Sequence, residues 1–369
     1  MMENREEQLK YGISIGLANG VGNVLAKSLI GYCGSPKAVF ETKKSELLKI
    51  PGVGELAARS IKNFNDFQKA EEEVEFVCKN KLEALFYFDK EYPIRLKACE
   101  DAPVVLFTHN NKPLHKQKVI SIIGTRKASE YGKKIVRDLI EDLSVYDCTI
   151  ISGMAYGIDI ETHKACVANN VDTMAVVAHG LDSLYPSLHK PTYEKMRAMD
   201  CGLISEFLTG TAPNRENFPK RNRIIAGLCD ATIVIESDIR GGSMITAELA
   251  HGYNRELFAV PGAVGAKYSS GCNSLIKRSK AYMLEGIADL IYHLGWEMPD
   301  ESKKNTQKQL FVELTPEEKV IMDALEVELS IDQLFLKTQI PMSRLALTLL
   351  DLEFNNLVLP LPGKRFKKG

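Results

Sequence analysis

Residues 1 to about 75 carry the pattern of short helices, with apolar positions spaced for one buried face. From about 80 to 297 the pattern changes. Short apolar runs, VISII (119–123), CTIIS (148–152), TMAVVA (173–178), GLIS (202–205), ATIVIES (231–237) and ELFAV (256–260), alternate with amphipathic stretches at 131–144, 157–169, 190–200 and 244–254. Most of the runs are unbroken rather than alternating, as strands covered on both faces are. The segment predicts a doubly wound α/β sheet, whose ligands bind beyond the C-terminal ends of the strands. Residues 298–314, MPDESKKNTQKQLFVEL, are mostly polar and read as a linker. Residues 315–369 show three helical patterns and then two apolar pieces around a turn, a winged-helix pattern with 341–355 as third helix and 357–366 as wing.

The helical start contains a repeat. GVGNVLAKSLI (20–30) and GVGELAARSIK (52–62) lie 32 residues apart and match at Gly20/Gly52, Gly22/Gly54, Ala26/Ala58 and Lys27/Arg59. Each copy is a Gly-x-Gly turn opening a helix, which resembles the helix-hairpin-helix element. Such a turn either presents backbone N–H groups to a phosphate or simply packs two helices.

Composition narrows the function. The chain has 369 residues, 45% hydrophobic and 26% charged, with a net charge of −1. That is long enough for two or three domains, and any anion site must be a local patch. The eight cysteines are scattered, without CxxC or Cys/His ligand spacing, and read as reduced thiols of a cytoplasmic protein with no metal site. The polar, acidic start MMENREEQLKYG does not read as a signal peptide, and no apolar run reaches the ~20 residues of a membrane span.

Four loops follow strands. GTRKAS (124–129) lacks the GxGxxG of a dinucleotide site, but its Gly124, Thr125 and Arg126 at a helix start suit an anion. SGMAYGID (152–159) places Ser152 and Gly153 directly after a buried strand, where a phosphate can approach; Asp159 and His163 read as capping or packing residues. AHGLDSLYP (178–186) offers a tight turn at Gly180. ESDIRGGSMITAELA (236–250) runs Gly241, Gly242 and Ser243 into a helix, the mechanics of a phosphate cradle, without the lysine of a nucleotide-hydrolysing P-loop. No cofactor is implied by any of them.

One further stretch, FPKRNRIIAGL (218–228), crowds Lys220, Arg221 and Arg223 around Asn222. The apolar half from Ile224 reads as a helix, and the cationic half as the loop and first turn ahead of it. Either buried carboxylates, Glu206 and Glu236 being nearest, or a polyanion must face those charges. With the ring of Phe218 beside them, the cations suit single-stranded nucleic acid, phosphate on charge and base on ring.

In order and spacing these segments, with LISEF, FAVPG and SSGCNSLI, resemble the DNA-processing protein A (Smf) family over about 119–285, and the flanking regions fit its three-part layout. The resemblance implies an extended Rossmann-like core (80–297) between an N-terminal helical, helix-hairpin-helix or SAM-like domain (1–75) and, after the linker 298–314, a winged-helix domain (315–369). It implies a protein without a catalytic step that binds single-stranded DNA, loads RecA recombinase onto it in natural transformation or recombination, and forms a homodimer through its core. The family's DNA pocket carries over to Arg126, Ser152, Gly153, Phe218, Lys220, Arg221, Asn222, Arg223 and Asn273. His179 and Lys190 depart from the family's usual small residue and Asn, which leaves the third loop's edge open. The winged helix carries one Arg against Asp351 and Glu353 in its third helix, with Lys364, Arg365, Lys367 and Lys368 in its tail; it reads as a protein contact or a weak aid to binding rather than a duplex reader.

Two enzymatic readings compete. GGSMITAE resembles the PGGxGTxxE loop of nucleotide phosphoribohydrolases, with Glu248 and Arg126 acting on a nucleoside monophosphate, although Arg240 stands where their proline belongs. A nuclease would need Glu206, Glu236 and Glu248 gathered around metals.

Overall fold

The computed structural model describes residues 2–297, 315–325, 327–354, 357–361 and 365–368; the linker segment 298–314 lies outside them. The chain divides into two compact units, Met1–Glu297 and Met298–Gly369.

The first unit is built on a nine-stranded sheet in the order β1-β2-β6-β5-β4-β3-β7-β8-β9. The strands are β1 (Glu83–Phe86), β2 (Val105–Thr108), β3 (Lys118–Ile123), β4 (Cys148–Ser152), β5 (Asp172–Val176), β6 (Gly202–Ser205), β7 (Ala231–Val234), β8 (Glu256–Ala259) and β9 (Tyr282–Met283). From β6 to β9 all neighbours are parallel. The unbroken apolar runs have the expected cause. In β3, Val119 and Ile123 join the core on one face of the sheet, and Ile120 and Ile122 the core on the other. The one polar residue between them, Ser121, shares a 2.7 Å hydrogen bond with Thr232 of β7. Winding runs outward in both directions from β3, through β4 to β6 on one side and through β7 to β9 on the other. The switch point of this open sheet therefore lies between the ends of β3 and β7, where such folds bind ligands.

Two features depart from the sequence pattern. β1 and β2 pair antiparallel with each other, and β2 antiparallel with β6, so the sheet is mixed at one edge. The N-terminal helices pack on that edge: Leu9, Ile13, Leu29 and Ile61 share one core with Phe86, Val105 and Phe107. Sequence periodicity separated this region from the sheet, whereas packing makes it part of the same unit.

The repeat has matching geometry in its two copies. Gly20 and Gly52 take left-handed φ angles of 79° and 82°, and Gly22 and Gly54 then cap the helices Asn23–Cys33 and Glu55–Lys62. Each turn lies against the other copy. A Cβ on Gly20 would meet Leu56 at 3.4 Å, and one on Gly52 would meet Leu25 at 3.8 Å. Mutual packing is thus at least one reason for the duplication.

The second unit has helices Pro316–Ala324, Ile331–Thr338 and Met342–Phe354 and a three-stranded sheet of β10 (Leu329–Ser330), β11 (Val358–Leu361) and β12 (Arg365–Lys368) in the order β10-β12-β11. This is a winged helix: β11 and β12 form the wing, and Leu345, Leu349 and Leu352 of the third helix fill its core.

One buried histidine in the sheet unit should govern acid stability. The Thr173 hydroxyl donates to Ile150 O, so its oxygen accepts from His163 Nδ1–H at 2.8 Å. Nε2 is left without a proton or a partner. Burial, aided by the charges of His189 and Arg221, pushes the imidazole down to about 3 from 6.5. Between those values the unfolded chain binds a proton that the folded chain does not. Stability is therefore fully present above pH 6.5 and falls as the pH drops toward 3, by roughly 3–5 kcal/mol from this group. Urea unfolding of His163→Asn measured from pH 6.5 to 4.5 should show a flatter decline than the parent, whatever its absolute stability; parallel curves would refute the assignment.

Candidate nucleic-acid interface

A cleft of ≈ 610 Å³ opens at the switch point. Its walls come from the loop after β3 (Gly124, Thr125, Arg126), the loop after β7 (Ser237, Asp238, Gly241, Gly242, Ser243), and Arg215, Phe218, Arg221 and Asn222 around a helix. That helix spans Asn217–Gly227, so the cationic stretch is helical throughout rather than a loop with a first turn. Its phase then sends neighbouring cations in different directions.

Arg221 points inward. It is 4% exposed, and its guanidinium donates to Gly153 O at 2.6 Å, to Val176 O and, through Nε, to Asn222 Oδ1 at 3.2 Å. Burial lowers its pKa to about 10, with Asp159 opposing, so it stays cationic at neutral pH. Gly153 exists for this tie, since a Cβ there would lie 2.4 Å from Arg221 Nη1 and 2.6 Å from Asp159 Oδ2. Ser152 is fully buried beneath it and donates to Ile122 O. Ser152, Gly153, Asp159 and Arg221 therefore form the floor's framework, tying β4, β5 and the helix together.

Arg126 points outward. It is exposed, its Cζ lies 5.0 Å from the centroid of the Phe218 ring, and among the described residues no carboxylate pairs with it. The backbone beneath it is fixed. Gly157, at φ 80°, lets the second loop press on the first, where a Cβ would lie 2.2 Å from Thr125 O; Ile158 N donates to that same oxygen. Thr125 N in turn donates to Glu236 O at 2.7 Å. The opposite wall is the N-terminus of the helix Gly242–Gly252, capped by Gly241 without a side-chain hydrogen bond, so its first N–H groups face outward. The Ser243 hydroxyl bonds Ser237 Oγ at 2.7 Å.

Other candidates fall elsewhere. Lys220 and Arg223 line a second cavity on the far side of the helix. There Arg223 pairs with Glu206 and donates to Asp101 O, so the nearest-carboxylate reading describes Arg223. Asn273 makes two bonds to Gly262, to its N–H at 3.1 Å and its carbonyl at 2.9 Å, and braces the loop after β8. Arg215, by contrast, was not singled out by the sequence. It is an exposed cation lining the cleft with no ion-pair partner among the described residues, and in the run APNRENF nothing sets it apart.

The carboxylates required by the enzymatic readings are engaged. Glu236 accepts from Ser129 N (2.9 Å) and Ser129 Oγ (2.6 Å), fixing the start of the helix Glu130–Leu143. Glu206 holds Arg223, and Glu248 bonds Lys280 at 2.6 Å and does not line the cleft. Among the described residues no three His, Cys, Asp or Glu side chains are grouped to hold a metal, and no helix is long and apolar enough to cross a membrane.

The profile of the family described as DNA recombination-mediator protein A matches residues 83–295, and that of the DprA winged helix domain matches 306–364. Protein Smf of Escherichia coli is 32% identical over 277 residues, 74% of each chain. DNA processing protein DprA of Streptococcus pneumoniae is 38% identical over 206 residues, 56% of this chain and 72% of the relative. The solved structure of the S. pneumoniae protein superposes with a TM-score of 0.66 at 31% identity, covering 77% of this chain and 97% of that one. A DNA processing protein A from Helicobacter pylori, whose structure was solved for its single-stranded DNA binding mode, gives 0.51 at 26% identity over 58% of this chain and 95% of that one.

Proposed function

Because the chain belongs to the DNA recombination-mediator protein A family, to which the DprA and Smf proteins are its relatives, we propose that the switch-point cleft holds single-stranded DNA. The observation that carries this reading is Arg126, an exposed guanidinium with no carboxylate partner among the described residues, set against the half-buried ring of Phe218, opposite a helix N-terminus whose Gly241 cap supplies no side-chain bond. Cations and N–H groups take successive phosphates while the ring takes a base, a combination that suits any sequence of a single strand. Arg215 adds a second exposed cation to the path. The H. pylori relative, studied for single-strand binding, supports the same assignment.

The strand is held for transfer rather than chemistry. In this reading the protein protects incoming DNA and loads RecA recombinase onto it, acts in the cytoplasm, and works as a homodimer through its sheet unit. The support is family membership together with the bonds that engage Glu206, Glu236 and Glu248, the acids the enzymatic readings require. Fluorescence anisotropy with a labelled oligo-dT should show affinity falling linearly with log salt. Two to three phosphate contacts at ~0.7 each give a slope of roughly −1.4 to −2.1. A slope near zero, or no binding at low salt, would remove the reading.

A further inference from the structure

The second cavity, ≈ 420 Å³, lies between the first helix (Met2–Leu17), β2 and the segment that follows β6. Its floor is apolar, with Val104, Val105 and Phe107 beneath it. Gly16 of the first helix leaves a bare stretch of backbone in one wall; a Cβ there would meet nothing within 4 Å. A flat ring can lie on such a surface. At one end stands Glu206, whose side chain is 10% exposed. Its Oε2 accepts from Arg223 and from Asn23 Nδ2 at 3.4 Å, whereas its Oε1 is buried with no hydrogen-bond partner among the described residues. A buried carboxylate oxygen is expensive to leave without a donor. Lys220, exposed and without an ion-pair partner among the described residues, also lines the cavity, as does the start of the helix Asn23–Cys33, whose Gly22 cap provides no side-chain bond.

An apolar slot whose lining holds both an acceptor and a free-standing cation offers partners for the three parts of a nucleotide: ring, N–H edge and phosphate. The cavity also falls in the size range of small-ligand sites. We propose that this cavity is a nucleotide subsite, taking one base with its amino or ring N–H on Glu206 and the attached phosphate on Lys220. Two sources share that chemistry. One is a nucleotide of the bound strand, reached across the helix Asn217–Gly227, whose opposite face lines the first cleft; this source rests on the DNA reading above. The other is a free nucleotide.

Gly16→Leu tests the proposal, because it fills the slot from an open, exposed helix position where leucine is a better helix former than glycine. Its melting temperature should equal or exceed the parent's. Binding of dGMP, measured by calorimetry in an Arg126→Ala background that disables the first cleft, should be lost with Gly16→Leu. In the otherwise unaltered protein, an oligo-dC should lose about tenfold in affinity with Gly16→Leu if the strand supplies the base, the worth of one base contact. A loss of dGMP alone assigns the slot to a free nucleotide. If the parent binds dGMP in a Gly16-dependent way but no oligonucleotide, the DNA reading fails and the subsite stands. Unchanged affinity for both ligands in Gly16→Leu overturns the subsite, whatever the first cleft does.

Discussion

Arg126→Ala should lower single-strand affinity roughly 10- to 100-fold near physiological salt, the combined worth of one phosphate contact and support for one stacked base. It should leave the melting temperature within about a degree or two, because the side chain is exposed and has no ion-pair partner among the described residues. The salt slope should also become shallower by about 0.7, the signature of one lost phosphate. Anisotropy at several salt concentrations, beside thermal unfolding, separates these outcomes. Unchanged affinity would mean that the cleft is not where the strand lies.

Arg221→Met should do the reverse. Its target is stability, by roughly 3–5 kcal/mol, because removing one partner from a buried charge arrangement leaves the other uncompensated. The guanidinium is the bond partner of Gly153 O and Val176 O and the charge that offsets the burial of Asp159. Methionine retains the bulk but none of those bonds. Urea unfolding gives the magnitude directly. A loss below about 1 kcal/mol would mean that Arg221 is a ligand contact held in place by its neighbours, and not a tie between strands.

These two arginines show how far the sequence reaches. Arg126 follows a buried strand in a short loop, and its exposure at the sheet's edge can be inferred from that position alone. Lys220, Arg221 and Arg223 look equivalent in one dimension. Only the start of the helix at Asn217 sets the phase that sends Arg221 inward and the other two toward the second cavity. The parallel strands β3 to β8 were legible because burial on both faces demands continuous apolar runs. β1 and β2 were not, because they pair antiparallel without the long intervening helix that marks the parallel strands, and β9 was not, its two residues being too short to show a period. Arg215 was invisible for a different reason. Its importance comes from the absence of a partner, and a missing carboxylate leaves no mark in local sequence.

The antiparallel edge formed by β1 and β2 has a bearing on how this protein can be divided. Residues 1–75 look like a detachable module, yet Phe86, Val105 and Phe107 are covered only when those helices are present. A chain begun near residue 80 would present these side chains to water on an open strand face, the recipe for self-association. Cooperative melting should therefore span the helices and the sheet together. Any ancestral recombination that joined the two would have had to bring a matching pair of surfaces, so the seam visible in the periodicity records a change of architecture and not a place to cut.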